Sequence, residues 1–181
     1  FPKKTPLCGG DGETERIPGE AAHRCKVRGS FGEQSRKLAH FAGKSALDIE
    51  DMGKKTVLLL MEHELIGEFD DMFELTRDEL LALPGFKEKS ADNLLRALEK
   101  AKTVSLDRLL VGVSIPHVGE ETALLLAQEF GTIEALRKAD AQTLASYKGI
   151  GVTLADAIAQ WFADEENGKS LDRRLEHLNV Q

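Results

Sequence analysis

A mainly α-helical fold is predicted: a tandem array of four helix-hairpin-helix motifs in two paired modules, preceded by a small degenerate ribbon. Three observations predict it. The first is the stretch Ser146 to Ile158, which reads as a short helix, a tight Gly149-Ile150-Gly151 hairpin and a second helix. Glycine supplies the backbone freedom of the turn, and Ile150 staples the hairpin to the core. The second helix then starts with free N–H groups pointing past the glycines, an arrangement that suits an anion. The second observation is repetition. Asp51-Met52-Gly53, Gly85-Phe86-Lys87 and His117-Val118-Gly119 align with the Gly149 hairpin, and their starts at 51, 85, 117 and 149 lie 34, 32 and 32 residues apart. A fixed period of that size marks a repeat architecture. The third is a longer period: hairpins one and three are 66 residues apart and hairpins two and four 64. Two hairpin–connector–hairpin modules therefore stack in tandem.

The elements follow in order. Residues 1–35 are rich in glycine and charge and read as a ribbon of short strands, with turns at Cys8-Gly9-Gly10 and Ile17-Pro18-Gly19-Glu20. A structural zinc site needs four ligands in a tetrahedron. Thr5 stands three before Cys8 and Phe31 six after Cys25, so the vestigial pair Cys8 and Cys25 is left, with His23 as a further candidate ligand. A metal-free ribbon held by Leu7, Ile17 and Phe31 is the expectation. Residues 36–165 hold the four motifs. Leu38, Phe41 and Ala42 share a helical face between Glu33 and Leu47, the leading helix of hairpin one. Lys54 to Glu64 follows, with Val57 to Met61 as core. After a connector with Phe69, Met72, Phe73 and Leu75, Thr76 and Glu79 form a capping box that starts a helix from Arg77 to Leu83. Pro84 stiffens hairpin two, and Ser90 to Lys102 is amphipathic through Ala91, Leu94, Leu95 and Leu98. Ser105 caps the next helix, Glu120 to Phe130 follows hairpin three, and Gly131 ends it. Thr132 to Lys138 and Ala141 to Tyr147 are two short helices before hairpin four. Leu154 to Asp164 turns Ile158, Trp161 and Phe162 inward. Residues 166–181 form one terminal helix with Leu171, Leu175 and Leu178 in a stripe.

Bulk properties bound the function. The chain has 181 residues and a net charge of −7, which argues against a purely electrostatic nucleic-acid binder. The distribution says more. Residues 36–110 carry twelve Lys and Arg against fifteen acids, and residues 111–181 carry six against eleven. Lys54, Lys55, Lys87 and Lys89 of the middle section sit on hairpins. No apolar run of the length of a membrane span occurs. Two cysteines make no disulfide framework, so a reducing cytoplasm is the default. With neither an initiator Met nor a signal peptide at Phe1, the chain reads as cut from a longer protein.

No catalytic constellation is present: no Lys-x-Asp-Gly nucleophile motif, no phosphate-binding Walker loop, no paired-histidine metal motif. Asp48, Asp51, Asp70 and Asp71 read as caps and turns, and His40 as a structural or phosphate-facing residue. The candidate DNA-binding set is Gly53, Lys54, Lys55, Gly85, Lys87, Lys89, Ser90, Gly119, Thr122, Lys148, Gly149, Gly151 and Thr153. Backbone N–H groups of such hairpins contact phosphates, which fixes position without reading sequence. Glu120 and Glu121 stand beside the third seat, so hairpin three is expected to contribute least.

These motifs resemble a family. His40-Phe41-Ala42-Gly43-Lys44-Ser45-Ala46-Leu47-Asp48-Ile49, Leu83 to Leu94 and Ile115 to Ala123 are similar to the segment after the zinc finger of bacterial NAD-dependent DNA ligases, and Gly19-Glu20-Ala21-Ala22 before Arg24-Cys25 looks like the finger itself. The resemblance covers essentially the whole chain. It implies a C-terminal fragment: finger, four helix-hairpin-helix motifs and a lead-out toward an absent BRCT domain. The parent would adenylate itself from NAD, pass AMP to a 5′-phosphate and join the 3′-hydroxyl, acting in replication and repair in the cytoplasm, at the nucleoid. This segment would bind no NAD. Its expected partners are nicked double-stranded DNA and the remaining ligase domains, in a monomer, with no membrane. Departures are Thr5 and Phe31 at two zinc-cysteine positions, Lys87 at a second-glycine position, and Asp51 and His117 at first-glycine positions. The alternative is a non-catalytic DNA-binding or protein-docking array with no ligase attached. A Lys-x-Asp-Gly motif upstream in the parent gene would discriminate the two.

Overall fold

The computed structural model describes residues 30–181 and the backbone of two short strands, β1 (Thr14–Arg16) and β2 (His23–Cys25). The strands pair antiparallel with Thr14 opposite Cys25, as a ribbon requires. Cys8, the predicted turns and the question of metal there lie outside the described residues.

The first helix, α1 (Phe31–Phe41), starts on Ser30, whose hydroxyl accepts the Glu33 N–H. The boundary at 35 therefore falls inside a helix. Phe31 begins that helix and packs against the helical core. The helix also stops at Phe41, short of the expected Leu47. There the chain folds back on itself: the N–H groups of Leu47 and Ile49 donate to the carbonyls of Phe41 and Ala42. Then follow α2 (Lys54–Glu62), a connector helix α3 (Asp71–Glu74), α4 (Arg77–Leu81) and α5 (Glu88–Ala101). The Thr76 capping box is present with both of its bonds. After strand β3 (Thr103–Val104) come α6 (Leu106–Gly112), α7 (Glu120–Phe130), α8 (Ile133–Lys138), α9 (Ala141–Ala145) and α10 (Val152–Ala163). Ser105 occupies the N-cap of α6 but its side chain makes no cap bond, so that expectation is corrected. Gly131 ends α7 with a positive φ of 69°.

Helices pair as the repeat predicts: α1 with α2, α4 with α5, α6 with α7, and α9 with α10. One continuous core runs through all four pairs. Leu38, Phe41, Leu60, Leu80, Leu94, Leu109, Leu126, Leu144 and Ile158 are almost wholly withdrawn from water. Each such side chain contributes about 2 kcal/mol of transfer free energy. The two modules meet where α1 crosses α6. Gly112 permits the crossing, because a Cβ there would stand 3.1 Å from the Phe41 ring and 3.3 Å from the Ala46 methyl. Arg108 spans the same junction, donating to the carbonyl oxygens of Ala46 at 2.6 Å and Lys44 at 2.7 Å.

The tail departs from a simple terminal helix. Helix α11 (Glu165–His177), capped by Asp164, is followed by strand β4 (Asn179–Val180), which pairs parallel with β3. Periodicity cannot reveal a two-residue strand whose partner lies so far back in the chain.

Candidate nucleic-acid interface

The four hairpins share one backbone construction. In each, the N–H of the central apolar residue donates to the carbonyl three residues earlier: Met52 to Ile49, Phe86 to Leu83, Val118 to Ile115 and Ile150 to Tyr147, at 3.1–3.3 Å. The residue before the apolar one is left-handed in every copy: Asp51 at φ 65°, Gly85 at 86°, His117 at 65° and Gly149 at 101°. Gly85 and Gly149 adopt this region freely. Asp51 and His117 belong to the residue types that tolerate it among those with side chains. The sequence departures at these two positions thus leave the turn intact.

The next residue is extended and is the N-cap of the second helix: Gly53, Lys87, Gly119 and Gly151. Its carbonyl accepts the first helical bond, from Val57, Ala91, Ala123 and Ala155 respectively. None of the four makes a side-chain cap bond. The first N–H groups of α2, α5, α7 and α10 are therefore not covered by the residue that usually caps them, which is the state an incoming phosphate oxygen needs. A Cβ at Gly53, Gly119 or Gly151 would meet nothing within 4 Å, so the space over each seat is open.

The side chains differ. Lys54 and Lys55 are the first two residues of α2; Lys87 and Lys89 flank the start of α5; Lys148 precedes Gly149. All five are exposed and, among the described residues, none is in an ion pair, whereas Lys37, Lys100, Lys102 and Lys169 are each paired with a glutamate. Hairpins one and two face one cleft of about 510 Å³, lined by Asp51 and Thr56 from the first and by Gly85, Phe86, Lys87, Lys89, Ser90 and Asn93 from the second. The Ser90 hydroxyl accepts the Lys87 N–H at 2.8 Å, and Thr56 donates to the Asp51 carbonyl at 2.8 Å; each fixes its turn onto its helix. Phe86 and Asn93 were not among the residues singled out from sequence. Asn93 lies one turn beyond Ser90 and could have been found from that spacing. Arg77 of α4 holds Asp92 of α5 at 2.7 Å and orients the two helices of hairpin two. That bond keeps the Asp92 carboxyl below the usual carboxylate range.

Gly119 lies in a separate cleft of about 410 Å³ with His40, Ser45 and Glu120. His40 bonds the Val111 carbonyl at 2.9 Å through its ring, a structural contact, and it also lines this cleft. Glu120 and Glu121 are the first two residues of α7, and Thr122 the third. Thr153 is the second residue of α10, behind an exposed Val152. Lys87 and Lys89 of hairpin two thus line the cleft that hairpin one enters through Asp51 and Thr56, while hairpin three presents carboxylates. Among the described residues no group of His, Cys, Asp and Glu is placed to hold a metal ion, and no helix is long and apolar enough to cross a membrane.

Comparison with known proteins agrees with this construction. Residues 44–100 match the family described as SAM-like helix-hairpin-helix tandem, and residues 108–171 the family described as helix-hairpin-helix motif. Each half of the helical array is thus similar to a helix-hairpin-helix family. More particularly, the chain is homologous over nearly all its length to a segment of DNA ligases. Proteins named DNA ligase from Alkalilimnicola ehrlichii and Chlamydia trachomatis serovar L2 are 41% and 39% identical over 92% and 100% of the chain. That from Desulforapulum autotrophicum is 35% identical over 98%. The chain spans about a quarter of the length of these relatives (25–26%).

Proposed function

We propose that this chain is the duplex-holding segment of an NAD-dependent DNA ligase, gripping nicked DNA along the phosphate backbone without reading base sequence. The observation that carries the reading is the fourfold turn. A left-handed residue, an apolar staple packed on the core and an N-cap without a side-chain cap are repeated four times, in a chain homologous to DNA ligases. Such seats recognise an anion and not a base edge. Hairpins one and two supply most of the grip through Lys54, Lys55, Lys87 and Lys89, and hairpin four adds Lys148. Hairpin three adds least because Glu120 and Glu121 oppose a phosphate. NAD binding and AMP transfer belong to other domains of the parent, since this chain has no Lys-x-Asp-Gly nucleophile. The protein works as a monomer with those domains, in replication and repair in the cytoplasm. Its N-terminal ribbon holds no zinc; elemental analysis showing one zinc per chain would contradict that.

The test is fluorescence anisotropy with unrelated nicked duplexes over a salt series. Affinity should be the same for every sequence and fall linearly on logarithmic axes, by about 0.9 per phosphate engaged. Marked preference for one sequence, or no binding at low salt, would refute the reading. Incubation with NAD and nicked DNA should leave the chain without covalent AMP.

A further inference from the structure

We propose that α11 and β4 form a brace that fixes the span between the two hairpin modules, so that both can engage one duplex at once. This rests on the reading of function above.

The modules meet where α1 crosses α6, with Arg108 bonded to the carbonyls of Ala46 and Lys44 beside the crossing. Attachments gathered at one junction resist rotation less than attachments at two separated places. The last segment adds a second, separate attachment, and consecutive residues of α11 reach to opposite modules. Asp172 accepts from Arg137 of α8 at 2.6 Å, and Arg137 also donates to the Gly168 carbonyl, so α11 is tied to the second module. Arg173 reaches the connector of the first module, 3.5 Å from Glu68 and 3.9 Å from Asp70. Arg174 is buried with its guanidinium 3.7 Å over the Phe69 ring and 5.5 Å from that of Phe41, the same ring that Gly112 meets at the crossing. One turn on, His177 stacks on Phe73. Strand β4 then bonds the stretch joining the modules: Asn179 donates to Lys102, Gln181 to Val104, and Leu106 to Gln181. Two linked binding units gain affinity only when geometry lets both engage together.

The test is a brace-release variant of the full chain, Asp172→Ala with Arg173→Ala and Asn179→Pro, which leaves the buried Arg174 and Leu171 in place. Spin labels at Glu62→Cys and Gln142→Cys, with Cys8 and Cys25 replaced by serine, report the distance between modules by pulsed electron resonance. Circular dichroism confirms that helicity is kept. The brace predicts one narrow distance in the parent and a broad distribution in the variant. It also predicts about tenfold weaker binding to a duplex long enough for both modules, with a shallower salt slope. An unchanged distance distribution would overturn the brace. A broadened distribution with unchanged affinity and slope would overturn its role in binding. If the parent bound no duplex at all, the reading of function would fall, and the distance measurement would still decide the brace.

Discussion

Hairpins two and three are the same turn with opposite surfaces. Both place a left-handed residue before the apolar staple, and both start a long helix without a side-chain cap bond from the N-cap residue. Around hairpin two stand Lys87 and Lys89; around hairpin three, Glu120 and Glu121. Backbone geometry and electrostatic use are therefore independent variables in this fold. The turn exists because an apolar residue must be stapled and a chain reversed. On the proposed reading, whether the resulting N-terminus meets a phosphate is set by the charges beside it, the exposed Lys87 and Lys89 against Glu120 and Glu121. A net charge of −7 is compatible with duplex binding on this account, because Lys54, Lys55, Lys87, Lys89 and Lys148 stand exposed beside the hairpins.

The comparison can be broken in graded steps. The largest effect is expected for Lys87→Glu with Lys89→Glu, which makes hairpin two resemble hairpin three. Binding to any duplex should weaken by on the order of tenfold at moderate salt, and the salt slope should flatten by about two. Anisotropy over a salt series checks both. The reciprocal change, Glu120→Lys with Glu121→Lys, should tighten binding by several fold and steepen the slope, since the backbone seat is already there. No change would mean that the third turn faces away from the duplex. A smaller effect is expected for Gly151→Val. The fold should tolerate it, because a Cβ meets no atom within 4 Å and φ there is −75°. Duplex affinity should fall a few fold with the slope and melting temperature nearly unaltered.

The smallest effects concern stability. Thr76→Ala removes the cap that starts hairpin two and should cost about 1 kcal/mol in denaturant unfolding, with little change in the salt slope. The same caps carry the pH dependence. Hydrogen bonds from Thr76 hold the Glu79 carboxyl low, and the backbone N–H of Thr143 does the same for Asp140 at the cap of α9. A carboxylate depressed in the folded state stabilises fully above its unfolded value, and that contribution is lost as pH falls through the folded one. Stability should therefore decline through and below the ordinary carboxylate range, and less so in Thr76→Ala. Arg174 runs the other way. Burial lowers its guanidinium to about 10, with Glu68 and Asp70 partly opposing, and its Nε has no hydrogen-bond partner. It stays charged at neutral pH, so its desolvation cost is borne there. Arg174→Met, which keeps the packing on Phe69, should leave the chain as stable or up to about 2 kcal/mol more stable.

Much of this was legible in the sequence. The period from Asp51 to Gly149 marks the four turns, Thr76 and Glu79 mark a cap with both bonds, and Glu120 and Gly131 mark the limits of α7. What stayed hidden is nonlocal. Nothing in the spacing of Thr103 and Val104 announces a strand, because its partner is the end of the chain. Arg174 reads as one more charged residue on a polar helix, and only the fold brings Phe69 and Phe41 to it. The helix end at Phe41 was overrun because Ala42 and Leu47 are apolar at helical spacing, and burial of a reversed loop leaves the same pattern. In the interface, the lysines and glycines could be read one hairpin at a time. The convergence of hairpins one and two on a shared cleft could not.

The most direct test of the central claim is an amide chemical-shift titration of the chain with a nicked duplex at low salt. If the turn supplies the seat and the neighbouring charge selects its use, the N–H resonances of Lys54 and Lys55, of Glu88 and Lys89, and of Val152 and Thr153 should move most. Those of Glu120 and Glu121 should move least. Largest shifts at Glu120 and Glu121, or shifts confined to surfaces away from all four hairpins, would contradict it.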